Sequence, residues 1–431
     1  MKNTVVALSG GVDSGVSAAL LLERGDSVRG LFMRHRYQNT LCGEETRAVL
    51  AELGTEARLS FFRIDESGSL ARLEWSPDRI PFLLPRDAAS AIEVAKYLGI
   101  ELMIFDLDTT FSSIVDNFVN EYFLGHTPNP CVLCNRNIKF GLLLDVAKRL
   151  GADCLATGHY VRKLTEKEWL DKERSENRDV DAFWGFNQTS EYAQTPEWLT
   201  NNPNASFFAR ALSKKDQSYF LYGVKSQNLN VVEFPVGGYT KEHVRGIASK
   251  KGLPIAERKD SQEICFVADK NHVNFIRKVR EDSPDRWTDF PQDTSGPFLS
   301  MDGAIIGRHH GYEKYTIGQR KGLGMGFGER IFVQKILPEK CGVVLGPYDA
   351  LSVDCIHAVD SNWHVDMPIN EYFRCEVKAR YRNESTFATV RISRDGSFEA
   401  RLDLPRFGVA PGQSLVCYWR DRLLGGGRIV E

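Results

Sequence analysis

Two hydrophobic periods alternate along the first half of the chain. Near-continuous apolar runs of strand length occur at "TVVALS" (4–9), "SVRGLFM" (27–33), "ELMIFDL" (101–107) and the start of "CLATGHYVRKL" (154–164). Between them lie stretches with helical periodicity: "GVSAALLLERG" (15–25) closed by Gly25, "DAASAIEVAKYLGI" (87–100), and "FGLLLDVAKRLG" (140–151). In the second of these, Asp87 is expected as N-cap and Gly99 as the C-terminal stop. Apolar strands separated by helices predict an α/β fold with a parallel, doubly wound sheet. Residues 34–86, with weak periodicity, and 165–205, polar and rich in Asn and Glu, read as insertions, the second as a partly mobile surface loop. From about residue 297 the pattern changes to short β-like runs with Gly turns, predicting two small, mostly β domains. The expected partition is a catalytic domain over 1–275, a central β domain over 285–348 and a β-barrel-like domain over 350–431.

Composition adds limits. The chain has 431 residues, 42% hydrophobic and 26% charged, enough for two or three domains. No run of eighteen apolar residues appears, so no membrane span is expected. "MKNTVVALSGG" carries neither a secretion nor a transit pattern, and a cytoplasmic, monomeric protein is the expectation. A net charge of -2 excludes a general polyanion coat but leaves room for local basic patches: Arg277, Lys278 and Arg280; Arg320 and Lys321; Lys378, Arg380 and Arg382. Nine cysteines, an odd number, argue for reduced thiols rather than a disulfide framework.

The chemistry starts at Ser9-Gly10-Gly11-Val12-Asp13-Ser14, between a strand and a helix. Two glycines let the backbone approach an anion, and N–H groups at a helix start favour phosphate. Ser9 and Ser14 can add hydroxyl donors, and Asp13 suits a partner for Mg²⁺. The stretch is neither a Walker A loop nor G-x-G-x-x-G. It resembles the SGGxDS pyrophosphate loop (PP-loop) of the ATP pyrophosphatase superfamily, which splits ATP between its α and β phosphates. Met33, at a strand end, and Gly158-His159, after another, are placed to complete a nucleotide site.

A second candidate is "TPNPCVLCNRNIKFG" (127–141), with Cys131 and Cys134. Zinc would want a second pair of ligands, which is missing, and a thioredoxin-like pair would open a helix after a strand, a setting this segment is read as lacking. Cys265, in "KDSQEICFVAD" (259–269), is a third candidate. Arg136, Lys139 and Lys259 could lower a thiol pKa. ATP cleavage with two separated thiols suggests a division of labour: an oxygen is adenylated, one cysteine delivers sulfur as a persulfide, and the other resolves it as a disulfide. The remaining six, Cys42, Cys154, Cys341, Cys355, Cys375 and Cys417, read as inert core or surface thiols.

Nine ordered blocks, "SGGVDS", "GLFM", "TPNPCVLCNRNIKF", "ATGHYVR", "KDQSYFLY", "KDSQEICF", "YTIGQRKGLG", "ARYR" and "PGQSLVCY", make the chain resemble the tRNA-specific 2-thiouridylase family. The resemblance implies an adenine-nucleotide-hydrolase-like PP-loop domain followed by β domains. It implies a tRNA-uridine 2-sulfurtransferase that replaces O2 of the wobble uridine with sulfur, consuming ATP and releasing AMP and pyrophosphate. A sulfur donor protein, a cysteine desulfurase or sulfur-relay protein, is implied as partner beside tRNA. Carried over by position, Cys134 is the nucleophile and Cys265 the persulfide carrier, with a transient disulfide between them; Asp13 is grouped with them as catalytic. Ala7, Leu8, Ser9, Gly10, Gly11, Val12, Asp13, Ser14, Met33 and Gly158 match ATP-contacting positions. Asn129, Pro130 and Cys131 match the segment at the target base, and His159, Lys215, Asp216, Gln217, Tyr381, Arg382 and Gln413 match tRNA contacts. Many relatives have Asp where this chain has Cys131, so a [4Fe–4S] cluster on Cys131, Cys134 and Cys265 stays open as a different sulfide carrier. A small-molecule amide ligase of the same superfamily and a non-catalytic tRNA- or cluster-binding module stay open as well.

Overall fold

The structure is a computed structural model, and it describes residues 1–54, 58–65, 68–76, 79–169, 196–199, 206–259, 264–267, 271–324 and 330–430. They form two compact units. The first takes residues 1–113, 132–268 and 421–423; the second takes 114–131, 269–420 and 424–431. The expectation of a surface loop over 165–205 falls mainly on residues outside this description.

In the first unit the main strands are β1 (Asn3–Ala7), β2 (Ser27–Arg34), β3 (Leu59–Ile64), β4 (Leu70–Leu73), β5 (Glu101–Asp106), β6 (Cys154–Thr157) and, further along the chain, β9 (Val232–Glu233). Seven strands pair in the order β4-β3-β5-β2-β1-β6-β9, all parallel except β4. Val5, Val6, Leu102, Ile104, Leu155 and Ala156 are fully buried, as continuous apolar runs in a parallel sheet require. The chain leaves β1 toward β2 on one side and returns as β6 on the other, so the carboxyl ends of β1 and β6 form the topological switch point.

β3 corrects the reading of 34–86 as an insertion. Leu59–Ile64 is a strand of the sheet, paired with β5 and carrying buried Phe61 and Ile64. Arg58 and Arg63, bracketing a short apolar run, masked its strand pattern. Helix α1 (Val12–Glu23) turns Val16 and Ala19 inward, and Gly15 lets it approach α3 (Arg86–Leu98): a Cβ there would lie 3.5 Å from Val94 and 3.2 Å from Ile255. Between them in sequence lies α2 (Gly43–Val49). The α3 N-cap is Pro85, not Asp87. The proline fixes an extended backbone, and Asp87 falls in the first turn, where its charge still faces the helix dipole favourably. Gly99 ends α3 as expected, with φ 67° and its N–H bonded to Lys96.

The chain then runs through α4 (Asp108–Phe123), α5 (Pro130–Leu133) and a nine-residue wide-turn segment, Cys134–Leu142, into α6 (Leu143–Arg149). A β hairpin, β7 (Val161–Thr165) with β8 (Ser206–Arg210), and α7 (Lys241–Lys250) complete the first unit's main elements. Inside it, Asp421 accepts from the buried Arg162 guanidinium and from the Trp169 indole (2.8 Å), while Arg162 also donates to the Arg210 carbonyl (2.7 Å).

The second unit holds α8 (His272–Asp282) and two sheets. One has four strands, β10 (Gly296–Leu299), β11 (Ile305–His309), β12 (Phe332–Leu337) and β13 (Gly342–Gly346). The other is an antiparallel barrel of β14 (Ser352–Trp363), β15 (Tyr372–Lys378), β16 (Thr386–Ile392), β17 (Phe398–Phe407), β18 (Ser414–Trp419) and β19 (Arg422–Ile429). Its strand order is β14-β17-β16-β15-β18-β19, and β19 pairs back to β14, which closes it.

Asp421→Ala strips Arg162 of its carboxylate and leaves a buried charge, which costs about 3–5 kcal/mol. Calorimetry should show a clearly lowered unfolding transition, largely restored in the double variant Arg162→Met/Asp421→Leu. An unchanged transition in the single variant would contradict this reading.

Candidate active site

Ala7, Leu8 and the turn Ser9–Ser14 leave β1 at the switch point. Gly10 has φ 74°, and a Cβ there would lie 2.3 Å from the Asp87 carbonyl oxygen, so the turn requires glycine. Gly11 is extended and caps α1, of which Val12 is the first residue. The turn is laced internally: the Ser9 N–H donates to Ser14 Oγ (3.1 Å), and Ser14 Oγ donates to the Gly11 carbonyl (3.0 Å). Gly158, after β6, backs directly onto it. A Cβ there would sit 2.7 Å from the Ser14 nitrogen.

Three residues to which the sequence reading gave no role, Lys241, Tyr160 and Arg258, hold this turn. Asp13 Oδ1 accepts from Lys241 Nζ (2.5 Å) and from the Tyr160 hydroxyl (2.7 Å). Arg258 donates to the Gly10 carbonyl (2.8 Å) and pairs with Asp87. Lys241 opens α7 as an ordinary amphipathic-helix residue, and Arg258 lies in a loop, so no local signal marks either. Asp216 and Gln217 act behind Tyr160. Gln217 Oε1 accepts from the Tyr160 N–H (3.0 Å), its own N–H donates to the Tyr160 carbonyl (2.9 Å), and the buried Asp216 carboxylate accepts from Ala211 N–H and the Ser218 hydroxyl. Lys215 is half-buried beside them.

The Cys-x-x-C opens a helix, but one that follows a loop after α4 and not a strand, so the thioredoxin-like setting is missing as the sequence reading had it. Pro130 stands at the first helical position, where its missing N–H costs nothing. From Cys134 the turns widen to the i→i+5 pattern, which often marks functional sites. Gly141 fits that geometry: a Cβ would lie 2.9 Å from the Arg136 carbonyl. The Asn135 and Asn228 side chains donate to the Phe220 and Phe140 carbonyls (3.1 and 2.9 Å), fixing the segment.

The thiols differ in setting. Cys131 and Cys265 are exposed and Cys134 is buried; all nine cysteines are thiols, with no disulfide. Burial pushes the Cys134 pKa up, and the charge of Lys139 offsets this only in part. The expectation of a lowered pKa is therefore wrong at Cys134, because desolvation outweighs its basic neighbour. His159 is held neutral by desolvation, helped by the same Lys139, and its Nδ1 lies 2.7 Å from Thr157 Oγ1. Its ring packs beside Phe140 of the wide-turn segment (5.8 Å). On the other flank, Phe266, next to Cys265, meets Phe111 edge-on (5.8 Å). Phe111 in turn stacks on His35 (3.6 Å), beyond β2 and Met33. His35 is buried and its pKa falls to about 3, so it too is neutral.

In the second unit, Thr127–Cys131 is tied to the turn before β18. Gln413 donates to the Thr127 carbonyl (2.8 Å), Thr127 N–H donates to the Pro411 carbonyl (2.8 Å), and Asn129 lies 3.4 Å from Ser414 Oγ. Gln413 thus positions the segment that carries Asn129 and Pro130. Lys378 lies over the Tyr381 ring (5.6 Å), and Arg382 is exposed on the following turn.

If Gly158 is the wall of an ATP site, Gly158→Ala pushes the turn out of place by roughly an ångström, a displacement worth on the order of 100-fold in turnover. Calorimetric titration with ATP should show sharply weakened binding; wild-type affinity in a folded Gly158→Ala protein would contradict the placement.

The chain matches the tRNA methyl transferase HUP domain over residues 2–59 and 78–269. It matches the tRNA methyl transferase PRC-barrel domain over 288–347 and the aminomethyltransferase beta-barrel domain over 353–429. It is 36% identical over 437 aligned positions to the tRNA-specific 2-thiouridylase MnmA of Chloroflexus aurantiacus, covering 100% of this chain and 99% of that protein. It is 35% identical to that of Pelotomaculum thermopropionicum (99% and 96% covered) and 33% to that of Rickettsia massiliae (99% and 96%). With all three domains matched in order and its whole length aligned, the chain belongs to the tRNA-specific 2-thiouridylase family.

Proposed function

We propose that this protein thiolates tRNA at uridine by ATP-dependent adenylation followed by persulfide transfer. The observation that carries the reading is that both cysteine segments pack toward the carboxyl edge of the sheet that bears the SGGVDS turn. The Cys134 segment does so through Phe140 and His159, and the Cys265 segment through Phe266, Phe111 and His35.

ATP lies with its phosphates at Ser9–Ser14, where the α1 N-terminus and the N–H groups of the turn meet negative charge. Mg²⁺ fits the Asp13 carboxylate, whose Oδ1 is already oriented by Lys241 and Tyr160; when bound, it neutralises charge on the pyrophosphate leaving group. O2 of the uracil attacks the α-phosphate and pyrophosphate departs. A persulfide on exposed Cys265, loaded by a sulfur donor protein, then attacks C2 through its terminal sulfur, and AMP leaves with O2. Cys134 attacks Cys265 Sγ, breaks the S–S bond and leaves sulfur on the base and a Cys134–Cys265 disulfide, which an external thiol reduces. A buried, protonated Cys134 suits this late role, since it does not compete for the incoming persulfide.

A [4Fe–4S] cluster fits less well. Burial favours the neutral thiol of Cys134 where a cluster needs the thiolate. For tRNA, the exposed Arg277, Lys278, Arg320, Lys321 and Arg382 are the phosphate-binding candidates, with Asn129, Pro130 and Cys131 at the base. No helix among the described residues is long and apolar enough to cross a membrane.

Cys134→Ser and Cys265→Ser should each lower single-turnover thiolation of unmodified tRNA by at least about a thousandfold while ATP binding persists. Thiolation at the wild-type rate in both would overturn the roles given to the two cysteines, and only a wild-type protein that thiolates no tRNA would favour an amide ligase. Because the Cys134 pKa is raised, resolution should quicken as pH rises through the neutral range. Removing the Lys139 charge in Lys139→Gln should move that rising limb to higher pH; an unmoved limb would remove Lys139 from the thiol's environment.

A further inference from the structure

We propose that the outer wall of the C-terminal barrel carries a Zn²⁺ site made by Cys355, His357 and Glu399. Their ligand atoms, one sulfur, one imidazole nitrogen and one carboxylate oxygen, all lie within 4.8 Å of one another. The set follows from strand geometry. Along β14, Ile356 and Ala358 point into the barrel, so Cys355 and His357 share the outer face. In the antiparallel pairing with β17, His357 stands opposite Glu399 and Cys355 opposite Arg401, which puts the carboxylate beside both. Cys355 Sγ and His357 Nε2 are 3.8 Å apart.

Two further observations point to a ligand. A cavity of about 140 Å³ opens on the His357 and Glu399 side of the set, lined by these two with Ser393, Ser397 and Arg391 but not by Cys355, and gives a fourth ligand such as water room beside them. The site also adjoins an irregular stretch of the barrel. Val353 pairs with Arg406, but two residues on, Cys355 pairs with Arg401, so the register between β14 and β17 shifts there. A metal bridging β14 to β17 beside that bulge would pin the register where the ladder is broken.

The donor set of one thiolate, one imidazole and one carboxylate suits Zn²⁺ and excludes Mg²⁺ and Ca²⁺, which prefer oxygen alone. Burial and the Glu399 charge raise the Cys355 pKa, so binding must release the thiol proton; thiolate and carboxylate then together cancel the charge of the ion. Arg401 lies 3.6 Å from Glu399 and would be displaced from that oxygen or turned to the other. The site lies wholly in the barrel and serves its stability rather than the thiolation chemistry.

The test is metal binding by the full-length protein carrying Cys131→Ser, Cys134→Ser and Cys265→Ser, which removes the other candidate thiols. Titration with Co²⁺ should give a thiolate-to-metal charge-transfer band and the visible absorption of a tetrahedral site, both displaced by one equivalent of Zn²⁺. Adding Cys355→Ser should abolish the charge-transfer band. Adding His357→Asn should weaken Zn²⁺ more than the roughly 10- to 100-fold that loss of a supporting group costs. Zn²⁺ should also raise the unfolding temperature of the parent and not of these variants. Absence of the band in the folded parent, or a band that survives Cys355→Ser, would overturn the proposal.

Discussion

The grip on Asp13 is the contact on which the rest of the site depends. A carboxylate at a phosphate-binding turn would drift toward its own helix N-terminus or repel the anion. Here Lys241 and the Tyr160 hydroxyl take its Oδ1, while Gly158 backs onto the main chain at Asp13 and Ser14. Lys241 is itself buried, so the pair is held in a low-dielectric setting where either partner alone would be costly. This fixes the turn before a nucleotide arrives, and preorganisation of that kind is what electrostatic catalysis requires.

From that turn outward, aromatic packing runs to the two cysteine segments. His159 immediately follows Gly158 and touches Phe140 of the segment that begins at Cys134. Tyr160 comes next and is clamped on its backbone by Gln217. Three consecutive residues after β6 therefore serve three neighbours: the phosphate turn, the thiol helix and Asp13. Gln217 and Gln413, both matched by resemblance to tRNA contacts, are here committed to internal hydrogen bonds that position Tyr160 and the Thr127–Pro128 carbonyls. Any effect of replacing them would act through those segments.

Much of this could be read from the chain. The parallel strands, the SGGVDS turn and the change to β structure near residue 297 each carry a local pattern, and β1, β2, β5 and β6 lie within a residue or three of where the apolar runs placed them. What escaped was tertiary. Lys241 and Arg258 reach the turn from more than 200 residues away on unremarkable segments. Cys134 is buried, which raises its pKa, and its segment is tied to residues 220–228 by Asn135 and Asn228, contacts that no spacing announces. Asp87 looked like a cap because it precedes the apolar repeat, but Pro85 had already set the extended backbone. Cys355 read as inert, since Glu399, which stands near it, lies on another strand.

The central claim is that Cys134 and Cys265 act as one redox pair on a base activated at the Gly10-Gly11 turn. Its most direct test is peptide mapping by mass spectrometry after a single turnover with tRNA, ATP and a persulfide donor, quenched with an alkylating agent. The account predicts a Cys134–Cys265 cross-linked peptide formed in step with 2-thiouridine, and only when ATP is present. Thiouridine accumulating while both cysteines remain fully alkylatable would contradict it.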